Sequence, residues 1–483
     1  MAEPTREEID RYQLNVDRTV VNVLVYLTSE DVVPHYDISL INISRGTQLI
    51  LQKIRDEFVS RNQLPASQED LENEDIRERF EQEIRILINE YFPNLDEDTI
   101  NLLMAYLIQQ NIGLGELEIL LKDSNLEELV INGSHEPVWV YHKKHGWLKT
   151  NIIIPTEQRI RHFSTMIGRD IGKEITLLNP LMDAHLKTGD RVNATLSPIS
   201  TMGNTITIRK FADKPWSIID LIKIGTINFE GAALIWLGIQ NELSMIVAGG
   251  TGSGKTSFLN AVSNFFPANQ RIITIEDTRE LELPKSAHWV PMESRLANPE
   301  GKGEVSMLDL VVNALRQRPD RILVGEIRRK REAEVLFEAM HTGHSVYGTI
   351  HANNVEETYD RLTNPPIQLP AKILSSLGLI VVQNRNRRTG KRRTLQISEL
   401  ATDGTPNVIK QYDVRADNLQ DASPAKRILD TLELYTGMTA KDLEQDLDEK
   451  KRILHWLFEK DINDVHTIGR IMARYYFKKS RGG

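Results

Sequence analysis

Apolar residues recur along this chain with two different periods. From Arg45 to about Gln110 the spacing is helical: Leu51, Ile54 and Phe58 share one face, and Ile76, Phe80, Ile84, Leu87 and Tyr91 share another. Acidic residues interleave with the second stripe, which makes them the solvated side of that helix. The period then shortens. Glu128–Ile131 and Val138–Tyr141 are β-branched and aromatic runs divided by the turn signal Asn132-Gly133-Ser134, and Arg191–Leu196 and Thr205–Arg209 read as further strands. Residues 113–211 are thus expected to form a small α+β domain behind a mainly helical region, 1–112.

A break follows at Ala212-Asp213-Lys214-Pro215-Trp216-Ser217, where proline disfavours helix before it, and the linker is placed at 212–229. Ser217 with Asp220 has the spacing of a capping pair that opens a helix. Beyond it, short apolar strands alternate with helices. Strands are expected at Leu243–Ala248, Ile272–Ile275, Ile322–Val324 and Val346–Ile350, with helices near Glu230–Ile239, from Lys255, and around Ala333, Leu336, Phe337 and Met340. Such alternation implies a parallel sheet covered on both faces, over residues 230–410. Residues 411–483 turn helical again, with Thr439 and Asp442 as a start signal.

Composition narrows the chemistry. The 483 residues include no cysteine, which removes disulfides, thiolate metal sites and cysteine nucleophiles together. No apolar run reaches the ~18 residues of a membrane helix, and Met1–Asp10 is polar, so a cytoplasmic protein is expected. The net charge of −9 is local: residues 69–98 hold twelve acids and three arginines, and the rest balances. That balance argues against bulk nucleic-acid binding, which needs clustered Lys and Arg.

The strongest chemical signal is Gly249-Gly250-Thr251-Gly252-Ser253-Gly254-Lys255-Thr256, followed by Ser257, a G-x-x-x-x-G-K-[ST] sequence between an apolar strand and a helix. Glycines let the backbone curl so that successive N–H groups face phosphate oxygens, and the helix N-terminus adds its positive dipole end. Lys255 suits the β- and γ-phosphates and Thr256 suits Mg²⁺. A chance glycine-rich turn is the alternative, and the strand–loop–helix setting speaks against it. No Asn/Thr-Lys-x-Asp guanine-reading motif occurs, which favours ATP.

Arg321-Ile322-Leu323-Val324-Gly325-Glu326 reads as a second nucleotide-site strand, with Gly325 where an Asp is usual and Glu326 placed to orient or deprotonate water and to meet the metal. Glu276 and Asp277 end another strand, where carboxylates suit contact with Mg²⁺ through water; a solvated acidic loop is the alternative. His341, His344 and His351 crowd together, either as phosphate-facing strand-end groups or, less in keeping with their spacing, as a metal site. Arg385, Arg387, Arg388, Lys391, Arg392 and Arg393 surround Thr389-Gly390; a solvated hairpin tip fits better than a nucleic-acid patch.

The set resembles the type II/IV secretion ATPase superfamily over about Gly113–Asp403. The resemblance rests on Gly249–Thr256, Ile275–Glu280, Leu315–Asp320 running into Gly325-Glu326-Ile327-Arg328, and Thr342-Gly343-His344 with Thr349-Ile350-His351. Upstream, Glu128–Gly133, Arg191–Ala194 and Ile208–Phe211 are similar to the family's N-terminal domain. The helical extensions and the lack of a four-cysteine zinc insertion look like the archaeal type IV pilus and archaellum branch. Arg329 departs from the Asp that many relatives carry there.

The resemblance implies a RecA-like P-loop ATPase domain preceded by the α+β domain and a helical region, with a helical tail, assembled as a homohexameric ring. It implies ATP and Mg²⁺ as ligands, Arg191 and Arg209 closing on phosphate from the N-terminal domain, and His344 and His351 sensing the γ-phosphate. Both arginines could instead pair within their own sheet. The implied partner is an integral membrane platform protein, with pilin-like subunits or secretion machinery reached indirectly, and the implied location is the inner face of the cell membrane. A conjugation-type DNA-transfer ATPase and a nucleotide-gated scaffold without turnover remain as alternatives. The acidic segment is expected to meet a basic protein partner, or else to be merely solvated.

Overall fold

In a computed structural model of the chain, the described residues are 6–16, 19–40, 45–61, 74–97, 99–101, 103–104, 107, 114 and 116–479, the last span without 187, 212–213, 296 and 298–300. Contacts divide the chain into two compact units, Met1–Asp213 and Lys214–Gly483.

The first unit is built on nine strands: β1 (Arg6–Val16), β2 (Thr19–Thr28), β3 (His35–Leu40), β4 (Leu126–Ile131), β5 (Pro137–His142), β6 (Gly146–Ile153), β7 (Leu181–His185), β8 (Arg191–Thr195) and β9 (Thr205–Arg209). They lie in the order β1-β2-β3-β6-β5-β4-β9-β8-β7. Its helices are α1 (Arg45–Arg61), α2 (Glu74–Tyr91), α3 (Glu116–Lys122) and α4 (Glu157–Asp170). Strands β4, β5, β8 and β9 fall where alternation places them, with Val138, Val140, Val192, Ala194, Ile206 and Ile208 turned into the core.

The opening forty residues correct the expectation of a mainly helical region 1–112. Val21, Val23 and Val25 are fully buried at every second position of β2, and the β1–β2–β3 meander extends the sheet of the α+β region. Its junction is narrow: β3 and β6 pair in parallel at only His35↔Lys149 and Tyr36↔Thr150. The Asn151 side chain widens it by accepting from the Ile38 N–H (3.0 Å) and donating to the Ile38 carbonyl (2.9 Å). Tyr12 and Tyr36 also donate to the buried carboxylate of Asp123, each at 2.6 Å.

Helices α1 and α2 form as expected and bury Leu51, Ile54 and Phe58 against Phe80, Ile84 and Leu87. Tyr91 leaves that stripe: it is exposed, and its hydroxyl donates to Glu57 at 2.8 Å. The side chain of Ile76, the acidic residues 69–73 and 98, and the break residues 212–213 lie outside the described residues.

The second unit has its own nine-stranded sheet: β10 (Met245–Gly249), β11 (Arg271–Glu276), β12 (His288–Glu293), β13 (Arg321–Val324), β14 (Ser345–Ile350), β15 (Leu379–Arg385), β16 (Arg392–Leu400), β17 (Pro406–Asp413) and β18 (Asn418–Asp421). The order is β12-β11-β13-β14-β10-β15-β16-β17-β18; the first six strands are parallel and the last three are added antiparallel. The helices are α5 (Ile218–Lys223), α6 (Phe229–Gln240), α7 (Lys255–Ser263), α8 (Met307–Leu315), α9 (Lys330–His341), α10 (Val355–Thr363), α11 (Lys426–Thr436), α12 (Ala440–Glu459) and α13 (Val465–Lys479).

Successive residues of β10 serve opposite faces. Met245 and Val247 pack under α5–α7 and the C-terminal helices, whereas Ile246 and Ala248 pack under α8–α10. That double burial makes these strands continuously apolar and sets the RecA-like three-layer arrangement. Residues 218–223, expected within the linker, form α5, whose Ser217–Asp220 capping box is made in both directions at 3.1 and 3.0 Å. The C-terminal helices belong to this core: Trp236 is fully buried, stacks on Phe265 at 5.0 Å, and donates to the Tyr476 hydroxyl at 2.9 Å.

Candidate active site

Strand β10 runs between β14 and β15 and ends at Gly249, where the chain must curl back before α7 begins. Side chains cannot be accommodated in that curl. A Cβ on Gly249 would stand 2.3 Å from Ser253 Oγ and 2.6 Å from the Gln383 carbonyl oxygen. Gly252 and Gly254 take left-handed φ values of 71° and 89°, a region open to glycine. The backbone N–H groups at the start of α7 have no partner within their own helix, so the loop and helix together form a donor-lined cradle. Ser253 Oγ is buried there with no hydrogen-bond partner. This is a cradle of the shape and polarity of a polyphosphate group.

Lys255 is buried at the floor of the cradle, where Nζ donates to the Gly250 carbonyl at 3.2 Å and lies 3.4 and 3.5 Å from the ring nitrogens of His351. Burial pushes its pKa down, and the carboxylates of Glu326 and Glu280 oppose that shift. His351 follows β14, and its pKa is pushed below the usual histidine range, first by burial and then by the Lys255 ammonium, against the pull of the Glu326 carboxylate. Its Nε2 stands 3.3 Å from Glu326 Oε1.

Glu326 lies just past the carboxyl end of β13, largely but not fully covered. Arg328 donates to Glu326 Oε2 at 2.8 Å and to Asp277 Oδ2 at 2.6 Å, so one guanidinium ties the ends of β11 and β13 together. The partly exposed Glu326 is thereby held in place beside the cradle. Arg328 closes the run Gly325-Glu326-Ile327-Arg328, and its place two residues after Glu326 in the same loop is the sequence signal of its role.

The two carboxylates after β11 separate in role. Asp277 faces outward to Arg328 and Ser294 Oγ (3.1 Å). Glu276 turns inward, is 2% exposed, and accepts N–H bonds from Glu280 and Leu281 at 2.9 and 3.1 Å. Burial raises its pKa to about 7. The same geometry explains Gly325, because a Cβ there would lie 3.3 Å from Glu276 Cγ.

Lys255, Glu326, Asp277 and His351 come together at the carboxyl ends of β10, β13, β11 and β14. His344 does not join them within this chain. It precedes β14 and therefore sits at the amino end of the strand whose carboxyl end carries His351; its Nδ1 lies 3.3 Å from both Thr342 Oγ1 and the Ala339 carbonyl. His341 ends α9 and is exposed. Among the described residues no cluster of three His, Asp or Glu side chains suits a metal ion, so the histidine metal-site alternative finds no support there.

In the first unit, Arg191 and Arg209 are direct cross-strand partners on β8 and β9. Arg191 makes a two-pronged contact with Asp183 at 3.1 and 2.6 Å, and Arg209 lies opposite Glu128 on β4. The basic hairpin is present, with Arg385 directly opposite Arg392. It departs from the expected solvated tip at its stem, where Arg392 Nε donates to the Gly252 carbonyl at 3.1 Å.

The family model described as "Type II/IV secretion system protein" matches residues 176–435. Uncharacterized protein MJ0781 of Methanocaldococcus jannaschii is 44% identical over 248 residues, 50% of this chain and 33% of that protein, so the chain spans about a third of that relative. Uncharacterized protein MJ0900 of the same organism is 33% identical over 392 residues, 78% of this chain and 70% of that protein. Type IV secretion system protein PtlH of Bordetella pertussis is 30% identical over 313 residues, covering 56% of this chain and 89% of that protein. Among solved structures, the Legionella pneumophila ATPase DotB is 20% identical with a TM-score of 0.46, over 74% of this chain and 94% of that one.

Proposed function

The chain belongs to the type II/IV secretion system protein family, and from that premise we propose that it is an ATP hydrolase that works as a motor for a membrane-embedded filament or secretion machine. The observation that carries this reading is the placement of Glu326 beside a complete phosphate cradle, with Lys255 below it and His351 at its side. In this proposal Gly249–Ser257 and Lys255 hold the ATP phosphates, and the Thr256 hydroxyl holds Mg²⁺. The fit rests on the glycine cradle that a Cβ would fill and on the unpartnered Ser253 hydroxyl within it. When bound, Mg²⁺ supplies charge neutralisation at the phosphates.

The chain's own residues then divide the work. Glu326, held in place by Arg328, orients and deprotonates the attacking water. Asp277 meets the metal's water shell, while Glu276 chiefly holds the loop that carries Asp277. Neutral His351 presents a ring nitrogen that distinguishes a triphosphate from a diphosphate next to Lys255. Arg191 and Arg209 supply the added positive charge from the first unit, as a guanidinium does in phosphoryl transfer.

The proposed assembly is a homohexamer, the proposed partner an integral membrane platform protein, and the proposed site of action the inner face of the cell membrane. Among the described residues no helix is long and apolar enough to cross a membrane. The process proposed is assembly of a type IV pilus-like or archaellum-like filament, or type II-like secretion.

The direct test is phosphate release from ATP by the purified chain with Mg²⁺. Turnover that depends on Mg²⁺ and disappears in Lys255→Ala supports an ATPase; tight ATP binding without release would assign a nucleotide-gated scaffold instead.

A further inference from the structure

The expected solvated hairpin tip places two like charges where a hairpin does not need them. Arg385 and Arg392 are direct cross-strand partners on β15 and β16 and so share one face of the sheet. Like charges opposed in this way destabilise a strand pair. Both are half-buried, whereas Arg387 and Arg388 at the tip are exposed. Among the described residues no carboxylate pairs with Arg392; its Nε–H goes to the Gly252 carbonyl at 3.1 Å. Arg393, the next residue, differs. It lies in a bidentate pair with Asp417 at 2.7 and 3.0 Å, a structural role that leaves it no charge to offer.

The stems of the hairpin therefore stand over the phosphate cradle. A Cβ on Gly252 would come within 3.2 Å of Arg385 Nη1, and a Cβ on Gly254 within 3.3 Å of Arg392 Cδ. Gly252 and Gly254 thus serve twice, for their left-handed backbone and for the close passage of two guanidinium side chains. A carbonyl oxygen is a neutral acceptor, and a phosphate oxygen at the same mouth is a charged one and a stronger partner for guanidinium.

We propose that Arg392 contacts the nucleotide's phosphates from the same chain that carries the cradle, exchanging the Gly252 carbonyl for a phosphate oxygen when nucleotide enters. This inference rests on the nucleotide reading of the cradle. It adds a charge contact in cis, separate from any arginine supplied by the first unit, and so predicts nucleotide affinity that survives the loss of Arg191 and Arg209.

The test is direct binding of a fluorescent ATP analogue to the full-length chain, with competition by ATP, ADP, AMP and inorganic phosphate. If the wild type binds none of these, the nucleotide reading itself fails. Given wild-type binding, Arg392→Ala is expected to weaken ATP at least tenfold and AMP much less, with unchanged thermal unfolding and no effect from Arg387→Ala. Arg392→Gln separates contact from support. It keeps a donor for the Gly252 carbonyl but no charge, and is expected to stay as weak as Arg392→Ala, whereas Arg392→Lys recovers part of the affinity. Affinity restored by Gln, or an Ala variant that binds ATP normally, overturns the inference. Competition by inorganic phosphate as effective as by ATP would also overturn it, since the contact would then be to any anion.

Discussion

A carboxyl group that is 2% exposed and still accepts two backbone N–H bonds makes Glu276 a pH-sensitive residue of the second unit. Its folded-state pKa of about 7 lies above the unfolded value of 4.5, so the folded state holds the proton more tightly. Its stabilising contribution is therefore complete below about pH 4.5 and is lost as pH rises through 7. Glu276→Gln can accept the same two bonds without a charge. Chemical denaturation at pH 5 and pH 8 is expected to show the variant gaining on the wild type with rising pH, by about 3 kcal/mol at most. A gap independent of pH would mean that Glu276 is not buried as a free acid. Gly249 offers a second check: Gly249→Ala drives a methyl group onto Ser253 Oγ and the Gln383 carbonyl, and should reduce nucleotide affinity at least tenfold in a binding titration.

At the scale of elements, the tail helices are fastened to the core of the second unit by buried charge. Lys450 on α12 is fully buried, donates to Asp446 at 2.5 Å and lies 5.3 Å from the Trp236 ring centre. Lys479 at the end of α13 reaches the same carboxylate. Removing one partner of a buried pair strands the other charge, so Asp446→Ala should cost about 3–5 kcal/mol in denaturant unfolding. It should also expose α12 and α13 to protease before the sheet is cut.

Elements were legible where one period dominated. The Ser217–Asp220 and Thr439–Asp442 caps, the apolar strands β10, β11, β13 and β14, and Leu51, Ile54, Phe58, Phe80, Ile84 and Leu87 of the α1–α2 stripe stand where spacing places them. Strand β2 was not read because Val20 and Leu24 are apolar on the face opposite Val21, Val23 and Val25, which blurs alternation into a plain apolar run. The cradle was legible because its glycines are dictated by local backbone geometry. The contacts of Arg328 and Arg392 were not, since they depend on which strand ends meet. Hairpin register around Thr389-Gly390 could have paired Arg385 with Arg392, but not set them above Gly252. The strand between His344 and His351 was legible too, and it sets the two histidines at opposite ends of β14, so the phosphate-facing role implied for both fits only His351 within this chain.

For the whole molecule, the excess of acidic residues and the candidate site belong to different units. Of the acids of α2, Glu78 and Glu90 are exposed and Glu81 and Glu83 half-buried beside the Phe80–Ile84–Leu87 stripe, and none is among the residues proposed to handle ATP. Replacing these four by Gln is expected to leave ATP turnover within twofold of wild type. Co-sedimentation with membranes containing the platform protein should fall, if the face meets basic loops; unchanged sedimentation would identify it as a solvated helix face.

The central claim is that this chain hydrolyses ATP with Glu326 as the group that activates water. Glu326→Gln preserves the size of the side chain and its hydrogen-bonding reach but removes the base. Phosphate release at saturating MgATP, measured alongside ATP affinity, is therefore the most direct measurement. Affinity within about threefold of wild type, with release slowed by about 10²–10⁴-fold, is the predicted result. Release at the wild-type rate with ATP still bound would contradict the claim.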